Sequence, residues 1–449
     1  MAHVIPTSGF PAVIIDPVQP TPAPEPAFRF KPDMLAWGAP LLIGVFALVA
    51  ALVGWAVNPK RFYFAYLIAW VFCLSLTLGS LFFVMSLHST KAHWAVVVRR
   101  IAEALMWSFP LLLVLFIPIL FGMHDLYHWT HGPAVVNGQI AVDELAEKRA
   151  YLNVPFWLIR MAIYFFVWTL MSYKLYRLSV RQDVDPDVSI PPKQRVVSAW
   201  GLPVFALSLC FASYDLIMSV DPHWFSTIFS VYFFGGCYWA AIALVTILTA
   251  MMQRSGAALV GVVTKEHYHD LGKWLFAFTI FWSYVAFAQY MLIWYANLPE
   301  ETIWYRHRLN GGWGWFSIAL LVCHFMIPFA VLLPRATKRN IPLMCFMSVW
   351  ALVMQWIDMF WLIMPVYQNP TATNATLGMQ AAGDAAHAGA QALAGTALYG
   401  PAYFHWIDFA CWIGLFGIYL GAALWRMTRH SIVPRNDPRL DMSLAFQNS

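Results

Sequence analysis

Charge is scarce in this sequence. Only 11% of its 449 residues are Asp, Glu, Lys or Arg, while 61% are hydrophobic, and the mean hydropathy is +0.62. A soluble domain carries about 25% charged residues. The shortage excludes an ordinary soluble enzyme and predicts an integral membrane protein. The net charge of +5 does not point to nucleic acid, because the bases sit in short loops between apolar runs. Cysteine motifs are missing too. The six cysteines (Cys73, Cys210, Cys237, Cys323, Cys345, Cys411) lie inside apolar runs and read as small buried hydrophobes. No CxxCH attaches a c-type haem, no cysteine quartet holds an iron–sulfur cluster, and no P-loop binds a nucleotide. A b-type haem needs two histidines at matched depth, and only His324 lies deep. The chain is therefore expected to carry no cofactor of its own. The start lacks a basic segment, apolar core and small-residue cleavage site, so no signal peptide is predicted.

What the sequence has in abundance is long apolar runs. They predict ten transmembrane helices, near 34–57, 62–87, 100–122, 152–177, 196–220, 223–252, 273–297, 312–334, 341–366 and 402–427. The fold class is all-α and membrane-integral. Residues 1–33 form a proline-rich arm in which Pro20, Pro22, Pro24 and Pro26 alternate, either solvated or lying along a partner. Residues 34–427 form the transmembrane domain, and 428–449 a tail. Twenty Lys and Arg flank the ends of the runs on the side of the two termini, against six on the other side. The positive-inside rule then places both termini in the cytoplasm. The loops 123–151 and 367–401 face outward. The second contains GMQAAGDAAHAGAQALAG, readable as a short surface helix or as linker.

An internal repeat is visible. ALSLCFASYDLIMSV in span 5 and ALVMQWIDMFWLIMPV in span 9 both place an Asp ahead of Leu-Ile-Met. The repeat predicts two four-helix bundles, spans 2–5 (about 62–220) and 6–9 (about 223–366), with spans 1 and 10 peripheral. Asp221-Pro222 reads as an N-cap with proline at N1, opening span 6.

Ionisable groups in a bilayer core cost about 2.5–3.5 kcal/mol each on insertion scales, so each is a functional candidate. Arg160, Asp215, Asp358 and Asp408 are all expected about 8–12 Å below the outer helix ends. His405 lies on the face of Asp408, one turn away. Arg160 and Asp215 can form a structural ion pair. Three acids against one base nevertheless leave a surplus carboxyl, which must reach water or hold its proton, as a proton relay does. His324 sits about 18 Å deep, and reads either as hydrogen-bonded core or as a relay group. Glu103, after Arg99 and Arg100, reads as an interfacial pair or a path entrance. Asp270 and Lys273 read as interfacial. On a helical wheel Ser283, Phe287, Tyr290, Trp294 and Asn297 form one stripe of span 7, which must face protein or a cavity. Its hydroxyls, and those near Asp215 on span 5, can pass protons through bound water or glue helices together.

The strings YVAFAQYMLIWYANLPEETIWYRHR, DLGKWLFAFTIFWSY and SYDLIMSVDPHWFSTIFSVYFFGGCYWA resemble the second polysulfide-reductase-like (NrfD-like) membrane subunit of bacterial alternative complex III, a quinol:cytochrome c or cupredoxin oxidoreductase. The resemblance runs over most of the chain. It implies two four-helix bundles plus flanking helices in a bacterial cytoplasmic membrane. It also implies partners: a sister NrfD-like membrane subunit, an iron–sulfur and molybdopterin-like peripheral subunit, and haem c subunits. In that family the sister subunit is held to oxidise menaquinol. A subunit like this one is assigned either quinone binding or proton conduction. The resulting expectation is a membrane subunit that provides a proton path and scaffold to a quinol-oxidising complex. Direct quinone binding, a secondary transporter and a purely architectural anchor are the alternatives.

Overall fold

A computed structural model of the chain describes residues 28–131, 135–136, 139–140, 145–367 and 402–448. The proline-rich arm up to residue 27 and almost all of the 367–401 loop, with its surface-helix reading, lie outside the described residues.

Among the described residues ten helices are long and apolar enough to cross a membrane: α1 (Met34–Val57), α2 (Pro59–Ser89), α3 (Val96–Phe121), α4 (Val154–Arg181), α5 (Ile190–Val220), α6 (Phe229–Arg254), α7 (Lys265–Ala296), α8 (Trp313–Leu332), α9 (Ile341–Val366) and α10 (Trp406–Thr428). A short helix, Pro299–Leu309, links α7 to α8. Away from the helices, Val135–Val136 pairs antiparallel with Gln139–Ile140. The ten helices bring the segment before α1 and the segment after α10 to one face, called the terminal face; the other is the distal face. Phe28 and Arg29 pair with Ser431 and Ile432 there.

The helix starts follow capping chemistry. Asn58 accepts from Arg61 N at 3.0 Å ahead of Pro59, Asn153 from Phe156 N at 3.0 Å, and Asn340 from Leu343 N at 3.2 Å. Thr264 and His267 form a capping box, as do His405 and Asp408. Several helices therefore begin before the hydropathic runs do: α7 starts at Lys265, not near 273, and α5 at Ile190, not near 196. Hydropathy locates the lipid-length part of a helix and misses the polar turns beyond it. Breaks within α3 fall beside Pro110 and Pro118, where a backbone donor is missing.

One cap reading is overturned. Asp221-Pro222 does not open α6, which starts at Phe229 behind Ile228. The intervening segment turns inward so that Trp224 stacks on Trp304, with ring centroids 4.4 Å apart. Burying an indole outweighs one cap, worth about 1 kcal/mol.

α2 and α6 stand at the centre, buried along most of their length. α2 packs against α3, α5, α6, α9 and α10, and α6 also against α5, α7 and α9. α1 lies outside and meets mainly α10. Glycines make that contact close: a Cβ at Gly417 would come within 2.7 Å of Gly44 Cα and Pro40 O.

The tail is docked, not loose. Asp437 receives Arg99 at 3.0 Å, Ser443 Oγ donates to Trp94 O at 2.8 Å, and Asn448 donates to Asp270 at 2.8 Å. Asp270 also pairs with Lys273 at 2.5 Å. Burial alone would raise the Asp437 carboxyl, but Arg99 and Arg439 hold it well below the usual range. A depressed carboxyl stabilises docking fully above its unfolded value, about 3.9, and loses that contribution as pH falls below it. Residues 435–448 are expected to resist an acid-active protease at about pH 4 and to become cleavable at about pH 2, well below the unfolded value. Asp437→Asn should be cleavable at both.

Candidate functional site

The ionisable groups expected in one outer layer divide into separate arrangements. Arg160 on α4 grips Asp215 on α5 with two hydrogen bonds of 2.8 Å, and Tyr164 OH donates to the same carboxylate at 2.8 Å. The guanidinium also donates to Tyr151 O at 3.0 Å and lies 3.8 Å from that residue's ring centroid. Both side chains are buried. This is a closed, fully matched pair.

Asp408 is matched as well, by a base that hydropathy leaves just ahead of the second apolar run. Arg61, in the first turn of α2, donates from Nε to Asp408 Oδ1 at 3.1 Å and from its second nitrogen to Oδ2. His405 N donates to the same carboxylate at 2.7 Å, and the His405 ring accepts from Ile407 N at 3.4 Å. His405 is thus a helix cap. The Asn58-Pro59 pair was the available signal: it starts α2 early and carries Arg61 inside. Glu103 lies near the terminal face, buried against Arg99 at 2.9 Å and Arg100 at 3.7 Å.

Asp358 differs. It lies on α9, is fully buried, and among the described residues has no basic group at ion-pair distance. Its Oδ1 accepts a hydrogen bond from Tyr232 OH on α6, while Oδ2 has no hydrogen-bond partner among the described residues. Trp282 Nε1 on α7 is near the same carboxyl and is likewise unpaired. One turn back on α9, both amide atoms of Gln355 are buried without partners, pressed on Gly236. His324 sits between Trp239 and Trp282, ring centroids 4.1 and 3.8 Å away, with neither ring nitrogen bonded. It lies in a π-helical stretch of α8, Leu320–Met326. Such wide turns recur at functional sites. Each unpaired buried polar group costs about 1–3 kcal/mol, so this cluster between α6, α7, α8 and α9 is costly as pure scaffold.

A cleft of about 400 Å³ adjoins the cluster, lined by Tyr232, Trp282, Gln289, Tyr290, Tyr305 and Phe325 among others. The size and aromatic lining suit a small ring-bearing ligand. Phe287, on its rim, is exposed on the flank that faces lipid. Ser283 and Tyr290 of the predicted stripe line this cleft, and Tyr290 meets Tyr305 at 5.1 Å. Trp294 instead faces outward, and Asn297 ends α7 in a left-handed conformation, φ 50°. The hydroxyls do not form a chain. Ser283 donates to Ile280 O, Ser219 to Asp215 O, and Ser208 accepts from Trp168.

The string LPEETIWYRHR folds as the helix Pro299–Leu309, which walls two cavities. Trp304, Tyr305 and Leu309 face the aromatic cleft. Ile303, His307 and Arg308 face a second one, about 450 Å³, on the distal face. There His124, His128, His131 and His223 gather with Lys60 and Asp221. Burial, with Arg308 and Arg306 nearby, lowers His307 to about 4. Burial also raises Asp221, against the pull of Arg308. Arg308 holds the partition in place: it donates to Trp361 O at 3.2 Å and Leu362 O at 2.8 Å, the last-turn carbonyls of α9. Tyr232, Trp282, Gln355 and Arg308 were not anticipated; aromatic residues in an aromatic-rich chain give no periodic signal that marks one of them.

No family model and no curated protein matches this chain.

Proposed function

We propose that this chain is an integral membrane subunit of a quinol:electron-acceptor oxidoreductase, and that it handles the protons while partner subunits carry the electrons. Asp358 supports this most directly: a buried carboxyl with no base beside it holds its proton or exchanges it, and Tyr232 connects it to a lipid-facing cleft. Oxidation of a quinol releases protons as well as electrons. Tyr232 lines the cleft and donates to Asp358, which gives a released proton a first acceptor. The histidine-lined distal cavity, behind the Pro299–Leu309 partition, is the proposed place of release. On this reading both termini lie in the cytoplasm, and α2–α5 and α6–α9 are the two bundles. The contacts of α2 with α3 and α5, and of α6 with α7 and α9, fit that division, and the extensive α2–α6 contact joins the two bundles. The partners are a sister membrane subunit, an iron–sulfur peripheral subunit and haem c subunits of a bacterial cytoplasmic membrane.

A second reading, quinone bound by this chain itself, is favoured by the aromatic lining and the open flank of the cleft. Both readings are tested on gently solubilised complex. The chain is expected to co-purify with haem absorbance, and a photoreactive quinone to label α7 or α8. Ala286→Trp, which fills the cleft, should abolish labelling and leave co-purification intact. A chain that purifies without haem subunits sinks the first reading. Labelling confined to another subunit removes the second.

A further inference from the structure

The terminal face carries a cleft unrelated to the aromatic one. It measures about 270 Å³ and lies between the end of α4 and the end of α10. Arg29 and Lys31 form one wall, Arg429, His430 and Arg435 the other, and Val180 in the last turn of α4 with Val184 just beyond it an apolar side. The walls are held in register. Ser431 Oγ donates to Phe28 O at 2.9 Å and Ile432 N to Phe28 O at 2.7 Å. Asp183, the acid in the lining, is engaged by Arg100 at 2.6 Å and by Arg435 N at 3.2 Å. Arg100, which is not part of the lining, answers its charge, and the bases of the lining outnumber this one acid.

Two helix C-termini meet here, and each attracts cations through its last carbonyls. That attraction explains one or two bases. It does not explain Arg29 and Lys31, which arrive from the N-terminal segment and are exposed. Burial, then Arg426 and Arg100 behind the cleft, lower the His430 imidazole.

From the cleft an exposed ladder runs along α4. Arg177, Tyr173, Leu170 and Phe166 follow Val184 and Val180 at helical spacing. The Arg177 guanidinium lies 6.0 Å from the Tyr173 ring centroid. A basic pocket at the membrane boundary with an apolar track leading from it matches the two parts of an acidic phospholipid.

We propose that this cleft binds the phosphate group of an acidic phospholipid, with an acyl chain laid along α4. The test uses the full chain, delipidated in mild detergent, with lipid binding followed by native mass spectrometry. Phosphatidylglycerol should bind and phosphatidylcholine should not. The triple variant Arg29→Gln/Lys31→Gln/Arg429→Gln should bind phosphatidylglycerol roughly 100-fold more weakly. Arg29→Lys/Arg429→Lys, which keeps the charge, should retain binding. Lys91→Gln/Lys193→Gln/Lys265→Gln, exposed bases elsewhere on the same face, should also retain it. Equal binding of the two lipids, or equal loss in both triple variants, overturns the proposal. Full displacement by millimolar inorganic phosphate, with Leu170→Ser without effect on lipid binding, overturns the assignment to a lipid.

Discussion

Asp358→Asn is expected to cut proton-coupled quinol turnover by about 100-fold or more, the usual worth of a positioned acid–base group. Structure should be spared. Asparagine has the same shape, and its oxygen still accepts from Tyr232 OH. No ion pair is broken, so the stability cost is at most that of one hydrogen bond, about 1 kcal/mol. Complex carrying the variant is reconstituted in vesicles with an entrapped pH dye, and turnover and proton release are read together. Infrared difference spectra give a second readout, since a carboxyl that gains and loses a proton has a carbonyl band that asparagine lacks. Tyr232→Phe should reproduce part of the loss, because it removes the link to the cleft and leaves the carboxyl. Unchanged coupling in both variants leaves Asp358 a structural residue and the chain an anchor.

Opening the Arg160–Asp215 pair should produce the largest loss of stability. Arg160→Met leaves a buried carboxylate with the Tyr164 and Tyr151 hydroxyls beside it and no base. Asp215→Leu strands a guanidinium instead. Either single change should cost about 3–5 kcal/mol, while Arg160→Met/Asp215→Leu recovers most of it, since the charge that is expensive to bury is gone. Thermal unfolding in detergent measures all three. If the single variants melt like the parent, water reaches the pair and it is not closed. Coupling in the double variant should be near normal, because this pair is separate from the Asp358 cluster.

These two predictions rest on residues that the sequence made equally conspicuous, and only neighbours distinguish them. Hydropathy located the ten helices, because a bilayer imposes both length and apolarity on a segment. Arg160 with Asp215 was also legible, since consecutive helices α4 and α5 must lie close. The partner of Asp408 was not: Arg61 is 347 residues away in sequence, and a base one turn inside a helix reads like a base in the loop before it. The surplus carboxyl argued from charge count survives at Asp358 alone. Tyr232, Trp282 and Gln355 escaped because hydroxyls, indoles and amides occur on every face of so aromatic a chain. The cleft lies between four helices and a fifth short one, and no single stretch of sequence displays it.

One eleven-residue helix, Pro299–Leu309, has the aromatic cleft on one flank and the histidine-lined cavity on the other. The two spaces therefore share a common wall. Trp304 and Tyr305 face one space and His307 and Arg308 the other, and Arg308 ties the wall to the carbonyls of Trp361 and Leu362 on α9. Filling the aromatic cleft is therefore expected to be felt in the histidine-lined cavity through this wall, beside whatever proton passes between them.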